Sequence, residues 1–496
     1  MFRKIKPFAR NILLKLLKAI EDRDAAEAVR RRDQNFWQRE INLPAYLVAA
    51  ISIAVFFIIL LFEVGFAWAK IAGLVILLLL VFSFFLIYTR QEKDLSADGE
   101  AIMLLGVLFI SAVLLMELFK EYFSPIATPI AAFAILTGLL LSKRLALGVG
   151  IILSLIIGVL NNFSFMIFLI HFFGSITGVI FLAKVRNRED ITKLGIKILI
   201  VNSMVILAIH SFTIWPIEML GANIGWGVLS AFVSVLLVLA TLPYLESFFS
   251  RTTNIKLLEL ADFNKPLLKR LMMEAPGTYH HSLMMASIAE RAAEAIGSNS
   301  LLTRVGAYYH DVGKIIHPEY FIENQQNVRN PHDALAPTMS GLVVTAHVKD
   351  GVAFAKQYNL DKVIIDCIQE HHGTSVMHYF YHRSLEKSEE TKSEEFRYPG
   401  PKPKSKETVI LMLADAVEAA SRTIDMPTPG KIKDMVEKVI NSKFIDNQFS
   451  ECPITLHDLS TISDSMVATL GGIYHARVEY QKESEKKEPK KSNKKS

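Results

Sequence analysis

Residues Leu145 to Ala183 carry no Asp, Glu, Lys or Arg. A membrane-crossing helix takes about 20 apolar residues, so this stretch is too long for one crossing and right for two. Asn161-Asn162, near its centre, is the natural turn. Further apolar runs cover Leu43 to Phe62, Ile71 to Tyr88, Ala101 to Met116, Tyr122 to Ser142, Ile198 to Ile217 and Ala222 to Leu245. These make eight crossings in all. In a chain of 496 residues that is 51% hydrophobic, nearly all the long apolar runs lie before Tyr244. The remainder of the chain has the composition of an ordinary soluble domain.

Loop charges orient this arrangement, because cytoplasmic loops collect Lys and Arg. The N-terminal segment holds Arg3, Lys4, Lys6, Arg10, Lys15, Lys18 and Arg30-Arg31-Arg32. Alternate loops hold Arg90 and Lys93, Lys143 and Arg144, and Lys184, Arg186, Arg188 and Lys193. Apart from Lys70 at the edge of the second run, the opposite loops have Lys120 as their cation. An even number of crossings returns the C-terminal part to the N-terminal, cytoplasmic side. The first run lies behind some forty residues with no A-x-A site after it, so it reads as a retained span and not a cleaved signal. The stretch FARNILLKLLKAI is an amphipathic segment that suits either the inner leaflet or packing on the soluble part. His171, His210 and Lys70 sit at membrane depth, where an ionisable group is either structural or functional. Ser124-Pro125, Pro129 and the glycines near Gly148 predict kinked, closely packed helices.

The expected divisions are a basic segment 1–42, a transmembrane region 43–247, a soluble domain with its connecting helix 248–480, and a Lys-rich disordered tail 481–496. The soluble part reads as helical throughout. Helices are expected over Leu301 to Asp311, Ala336 to Tyr358, Lys362 to Gln369, Lys406 to Ile424, Ile432 to Asn441 and Leu456 to Lys482. SLMMASIAERAAEAIG adds an amphipathic helix with a terminal glycine cap. Glu386 to Ser405, charged and rich in Pro, Ser and Lys, is expected to be a disordered loop or lid. Cys367 and Cys452 are too few for a disulfide framework and are expected as buried thiols.

GAYYHDVGK, residues 306–314, raises the chemical question. A His-Asp pair means little unless other ligand-type residues converge on it. PGTYHHS supplies His280 and His281, TAHVKDG His347, QEHHGTS His371 and His372, and LADAVEAASR Asp415. Imidazole and carboxylate without thiolate suit Fe, Mn or Zn, and disfavour a Cys-type structural zinc site. So many ligands suit two ions bridged by a carboxylate. Adjacent helical residues diverge by about 100°, so His371 and His372 fit one apiece to two ions, and His310 can bind one while Asp311 bridges both. Two such cations acidify a water between them and neutralise phosphoryl charge, which favours phosphoester hydrolysis. The chain has no GxxxxGK[ST] and no HExxH.

These residues resemble the HD-domain phosphohydrolases. More closely, the chain is similar to the seven-transmembrane HD-domain proteins of bacteria, the membrane cyclic-di-AMP phosphodiesterases. The likeness is carried by LLELADFNKPLLKRLMMEAPGTYHHSLM, VGAYYHDVGK, YFIENQ, NPHDALAP, EHHGTS, YPGPKPKSKE, LADAVEAASR and ECPITL. It implies an all-α architecture, in which a polytopic transmembrane helix bundle is followed by an all-helical cytoplasmic HD domain at the inner membrane. It implies metal ligands at His281, His310, Asp311, His347, His371, His372 and Asp415, a pair of divalent manganese or iron ions, and hydrolysis of cyclic di-AMP to linear pApA. His310, Asp311 and Lys314 are the expected catalytic residues, with Lys314 contacting substrate phosphate or forming a supporting salt bridge. Arg422 stands in the same position between two roles. Tyr279, Tyr308 and Tyr309 are candidates to stack on adenine, Tyr309 foremost, with core packing expected of at least two. The expected partners are a cyclic dinucleotide and the lipid bilayer, with no DNA or RNA; a homo-oligomer is left open. The alternatives are another cyclic-dinucleotide or nucleotide substrate, or a receptor that binds without cutting. Two features depart from the family: Val312 stands where isoleucine is usual, and only Glu63 to Trp68 separates the first two runs, where a large extracellular domain is usual.

Overall fold

The computed structural model describes residues 98–182, 185–212, 216–325, 329–386 and 392–486, the last twelve by backbone alone. The first two apolar runs, Lys70, the basic N-terminal segment and the end of the Lys-rich tail lie outside the described residues. Among the described residues there is no strand; one isolated antiparallel bridge joins Val376 and Arg397. The chain divides into two compact units. One comprises residues 1–183 and 191–242, the other 184–190 and 243–496.

Six helices form the described part of the first unit: α1 Gly99–Tyr122, α2 Ile130–Leu140, α3 Lys143–Leu160, α4 Phe165–Phe181, α5 Arg188–Phe212 and α6 Glu218–Phe248. The last two run on into the second unit at their outer ends. α1, α3, α5 and α6 are long and apolar enough to cross a membrane. α2 and α4 are shorter apolar helices in the places expected for the fourth and sixth crossings. α2 is short because Pro125 and Pro129 bracket a 3₁₀ turn, Pro125–Ala127, before it. The turn between α3 and α4 falls at Asn161 to Phe163, with Asn162 and Phe163 at positive φ. A Cβ added at Gly150 would lie 2.9 Å from Ser175 Cβ, so α3 and α4 touch through small residues. His171 is buried, with its Nε2 2.9 Å from the carbonyl oxygen of Pro125. A carbonyl can only accept, so the ring donates there and satisfies the backbone freed by the proline turn.

Among the described residues the second unit contains ten further helices: α7 Asn254–Leu260, α8 Pro266–Glu274, α9 Pro276–Ala295, α10 Ser300–Tyr309, α11 Pro337–Gln357, α12 Lys362–Glu370, α13 His378–Leu385, α14 Lys406–Ser421, α15 Pro429–Ile445 and α16 Leu456–Lys486. α9 buries Met285, Ala286, Ala289, Ala292 and Ala293 at helical spacing against α14, α15 and α16. A second cluster gathers Leu257, Leu268, Leu271, Val305, Tyr309, Val312, Ile364 and Ile368. Gly297, at φ +68°, follows the end of α9 as the expected cap. Ser405 and Thr408 form a capping box that starts α14. Cys367 is buried and Cys452 half-buried, both as free thiols.

The structure departs from these expectations in three places. The segment 386–405 is ordered from Lys392 onward: Phe396 is fully buried and Tyr398 N–H donates to Ser375 O at 3.0 Å. Its many polar and proline residues hid one apolar anchor and a cross-chain backbone ladder. α13 was also missed, because its HYFYHRSL pattern mixes aromatic and basic residues without a clear apolar stripe. At the other end, α16 runs on to Lys486, past the expected start of a disordered tail at 481.

After α10 the chain makes a 3₁₀ turn, Val312–Ile315, that lies against α11. A Cβ on Gly313 would sit 1.8 Å from His347 O and 2.5 Å from Gly351 N, both rigid backbone atoms. Gly313→Ala should therefore cost about 1–3 kcal/mol or more. Thermal unfolding of the metal-free full-length protein should show a clearly lower midpoint. Gly430→Ala, where an added Cβ meets nothing within 4 Å, should not.

Candidate metal centre

Helix ends and helix faces deliver the ligand-type groups. His310 and His371 are the residues that close α10 and α12, and His372 comes directly after; His281 lies on α9, His347 on α11 and Asp415 on α14. Each of the first two, once its helix ends, turns its ring back on the last turn. His310 Nδ1 donates to Ala307 O and His371 Nδ1 to Ile368 O, each at 2.8 Å. His347 makes the same bond to Val344 O. With Nδ1 donating, the neutral form of each ring presents its lone pair at Nε2, the form a metal ion needs.

Those lone pairs converge on Asp311, which is 1% exposed. Its Oδ1 lies 3.3 Å from His347 Nε2 and 3.7 Å from His371 Nε2. Its Oδ2 lies 3.1 Å from His310 Nε2 and 3.9 Å from His281 Nε2. Asp415 adds Oδ1 at 3.1 Å from His281 Nε2 and Oδ2 at 3.6 Å from His372 Nδ1. Two groups result, Asp311 with His347, His371 and His372, and His281 with His310 and Asp415; within each group the candidate ligand atoms lie within 4.8 Å of one another. Asp311 faces both. Buried His310 Nε2 and Asp311 Oδ1 have no hydrogen-bond partner. Buried, unpartnered nitrogen and oxygen atoms aimed at a common centre fit divalent cations, and the absence of thiolate points away from a structural zinc site.

Electrostatics agree. Burial opposes the ionised form of Asp311, but His310 and Lys314 outweigh it and hold the carboxyl well below its usual range. Burial and the neighbouring His310 push His371 down to about 3. His372 is likewise pushed far down by burial and His371. These rings stay neutral and can ligate at physiological pH. Burial works against the His281 cation as well, yet Asp415 and Glu418 overcome it and raise its pKa to about 10. A cation bound there would take the place of that proton.

His280 is exposed, so of the pair only His281 joins the centre. Lys314 Nζ is 2.7 Å from Asp311 Oδ2 and 2.8 Å from Glu323 Oε1, a supporting ion-pair position. Arg422 pairs with Glu418 Oε1 at 2.7 Å and stays 43% exposed beside His281. The expectation for Tyr309 is overturned: the ring is 1% exposed, and its hydroxyl donates to Leu260 O at 2.9 Å, so it cannot meet a substrate. Tyr308 and Tyr279 pack on Phe263. Val312 is fully buried in the core and accommodated there. Two groups escaped sequence reading. Glu418 accepts from His281 Nδ1 at 2.7 Å, and its place one turn after Asp415 was the available signal. Tyr398 stacks on His372 with ring centroids 4.1 Å apart; it opens the stretch YPGPKPKSKE that carries the family likeness, which was the available signal, but the sequence alone assigns its ring no role.

Residues 66–253 match the family described as 7TM receptor with intracellular HD hydrolase, and residues 278–420 match the HD domain. Together these stretches take in most of the chain. The chain belongs to the seven-transmembrane HD-domain family. Family relatives include the protein named cyclic-di-AMP phosphodiesterase PgpH of Bacillus subtilis, 39% identical over 84% of this chain. The protein of that name in Listeria monocytogenes is 41% identical over 61% of this chain. The chain spans 61% and 43% of their respective lengths. A solved HD domain of L. monocytogenes PgpH in complex with cyclic-di-AMP is 46% identical, covering 43% of this chain and all of that one, with a TM-score of 0.42.

Glu418 accepts from the Nδ1 of the candidate ligand His281 and so orients its ring. Glu418→Ala should weaken binding of Mn²⁺ about 10–100-fold, and Glu418→Gln less, by titration of the metal-free protein. Asp311→Ala should lower the ion content of both groups together, where His347→Ala should spare the His281 group.

Proposed function

We propose that this chain is a membrane-bound, metal-dependent phosphodiesterase that hydrolyses cyclic di-AMP to linear pApA. The observation that carries the reading is the division of the Asp311 carboxylate between two ligand groups, one oxygen toward each. The names of the PgpH relatives supply the substrate. The full ligand set is His281, His310, Asp311, His347, His371, His372 and Asp415, and manganese or iron suits its donors. When bound, such ions supply charge neutralisation at phosphorus and activation of water.

The chain's own residues do the rest. The four Nδ1 bonds of His281, His310, His347 and His371 fix ring orientation before substrate arrives. Lys314 offsets the buried carboxylates of Asp311 and Glu323, which keeps the centre from accumulating uncompensated negative charge toward a phosphodiester. Arg422 lies with its exposed edge beside His281, which supports a role for it in meeting a second phosphate of the substrate. The pattern of Lys143, Arg144, Arg186, Arg188 and Lys193 supports a multi-pass protein of the inner membrane with the HD domain on the cytoplasmic side.

The test is incubation of purified full-length protein, loaded with Mn²⁺, with cyclic di-AMP or cyclic di-GMP. Linear pApA should appear, EDTA should stop its formation, and Asp311→Ala should bring turnover to background. Linear pGpG without pApA would move the reading to the other cyclic dinucleotide. Binding without any cleavage would make the chain a receptor.

A further inference from the structure

The tyrosine that reaches the centre is Tyr398, and its setting goes beyond support for a ligand. Its backbone is fixed from several sides. Met377 N–H donates to Phe396 O at 2.8 Å and Tyr398 N–H to Ser375 O at 3.0 Å, a short ladder between 396–398 and the chain just after His372. Arg397 grips Asp446 with two hydrogen bonds, at 2.9 and 3.1 Å, and donates to Thr374 O at 2.8 Å. Phe396 is fully buried. The ring of Tyr398 is therefore pre-positioned, nearly parallel to His372 at an interplanar angle of 26° and edge-on to His347 at 6.3 Å.

A stacking role needs a ring and not a hydroxyl. Yet among the described residues the phenol oxygen has no hydrogen-bond partner, while the side chain remains half-buried. The charges that act on it are those of the centre itself: Lys314, Asp415, Asp311 and Glu323. By contrast, Tyr309 spends its hydroxyl on Leu260 O and Tyr474 on Ser421 O at 2.8 Å. An unspent donor on a rigid platform beside two cation-type ligand groups is what a phosphoryl oxygen requires as charge grows on it.

We propose that Tyr398 is a catalytic residue whose hydroxyl donates a hydrogen bond to a non-bridging phosphoryl oxygen of the substrate, while its ring holds His372. The inference rests on the phosphodiesterase reading above. No proton is transferred; the O–H bond stays intact and the interaction strengthens as the phosphorus centre becomes more negative.

Tyr398→Phe separates the two roles, since it keeps the ring and removes the oxygen. In the full-length protein loaded with Mn²⁺, Tyr398→Phe should lower kcat for cyclic di-AMP by about 100-fold. Ion content and thermal midpoint should match wild type, and affinity for inorganic phosphate should fall. Equal turnover in the two proteins would overturn the proposal. Loss of an ion in Tyr398→Phe would also overturn it, by showing that the hydroxyl acts through the ligands. Should wild type cut no cyclic dinucleotide, the phosphodiesterase reading falls by itself. The phosphate titration then decides alone: equal affinity for phosphate removes the role of Tyr398, and weaker binding in Tyr398→Phe sustains it.

Discussion

A charged carboxylate at Asp311, 1% exposed, is the constraint around which the second unit is arranged. Removing such a group from water costs several kcal/mol unless partners replace its hydration. Lys314 supplies one partner at 2.7 Å. The remaining faces of the carboxylate meet imidazole nitrogens that, in their neutral form with Nδ1–H spent, are acceptors themselves. Acceptor facing acceptor in a dry interior is unfavourable for a protein alone and favourable around cations. The stability of this packing and its capacity to hold metal are therefore the same fact.

The fold meets that constraint through its helix ends. α10 and α12 both stop at a histidine, and in both the carbonyl three residues back accepts the ring N–H. The last turn of a helix leaves carbonyls unsatisfied, so a histidine there gains a partner and the backbone gains a donor in one step. Gly313 lets the turn that carries Asp311 lie directly on the α11 backbone, which brings His347 to the same carboxylate.

Much of the centre was legible in the sequence because its ligands are of rare type and sit in short, adjacent-residue motifs. The expectation that a helical step sends His371 and His372 to different ions is corrected: both fall in the group of Asp311 and His347, with ring centroids 4.0 Å apart, because they stand at and beyond the end of α12 and not within its regular turns. The same step explains the error at Tyr309. Being next to His310 in sequence places it on another face of α10, and that face is core. The contact of Tyr398 with the centre was illegible for a different reason, although its motif YPGPKPKSKE carries the family likeness. Its position is set by Arg397 and Asp446, 49 residues apart, and by a bridge to Val376, contacts that no local pattern encodes. Composition suggested disorder for the segment 386–405 because it weighs average polarity, and one buried Phe396 outweighs it.

α12 shows how these parts are made into one body. At its start the Asp361 carboxylate does not cap its own helix; it accepts from Thr252 Oγ1 at 2.6 Å and pairs with Lys256. At its end Glu370 accepts from Lys404 N–H and Thr408 Oγ1, each at 2.9 Å. The helix is nine residues long, a rod of about 13 Å. Its near end is thus held by the segment just after α6, and its far end by the stretch that runs from Tyr398 into α14. His371 and His372 stand immediately beyond that far end. A helix this short cannot bend appreciably between its anchors, so the two histidines keep their register only while both carboxylates keep their partners.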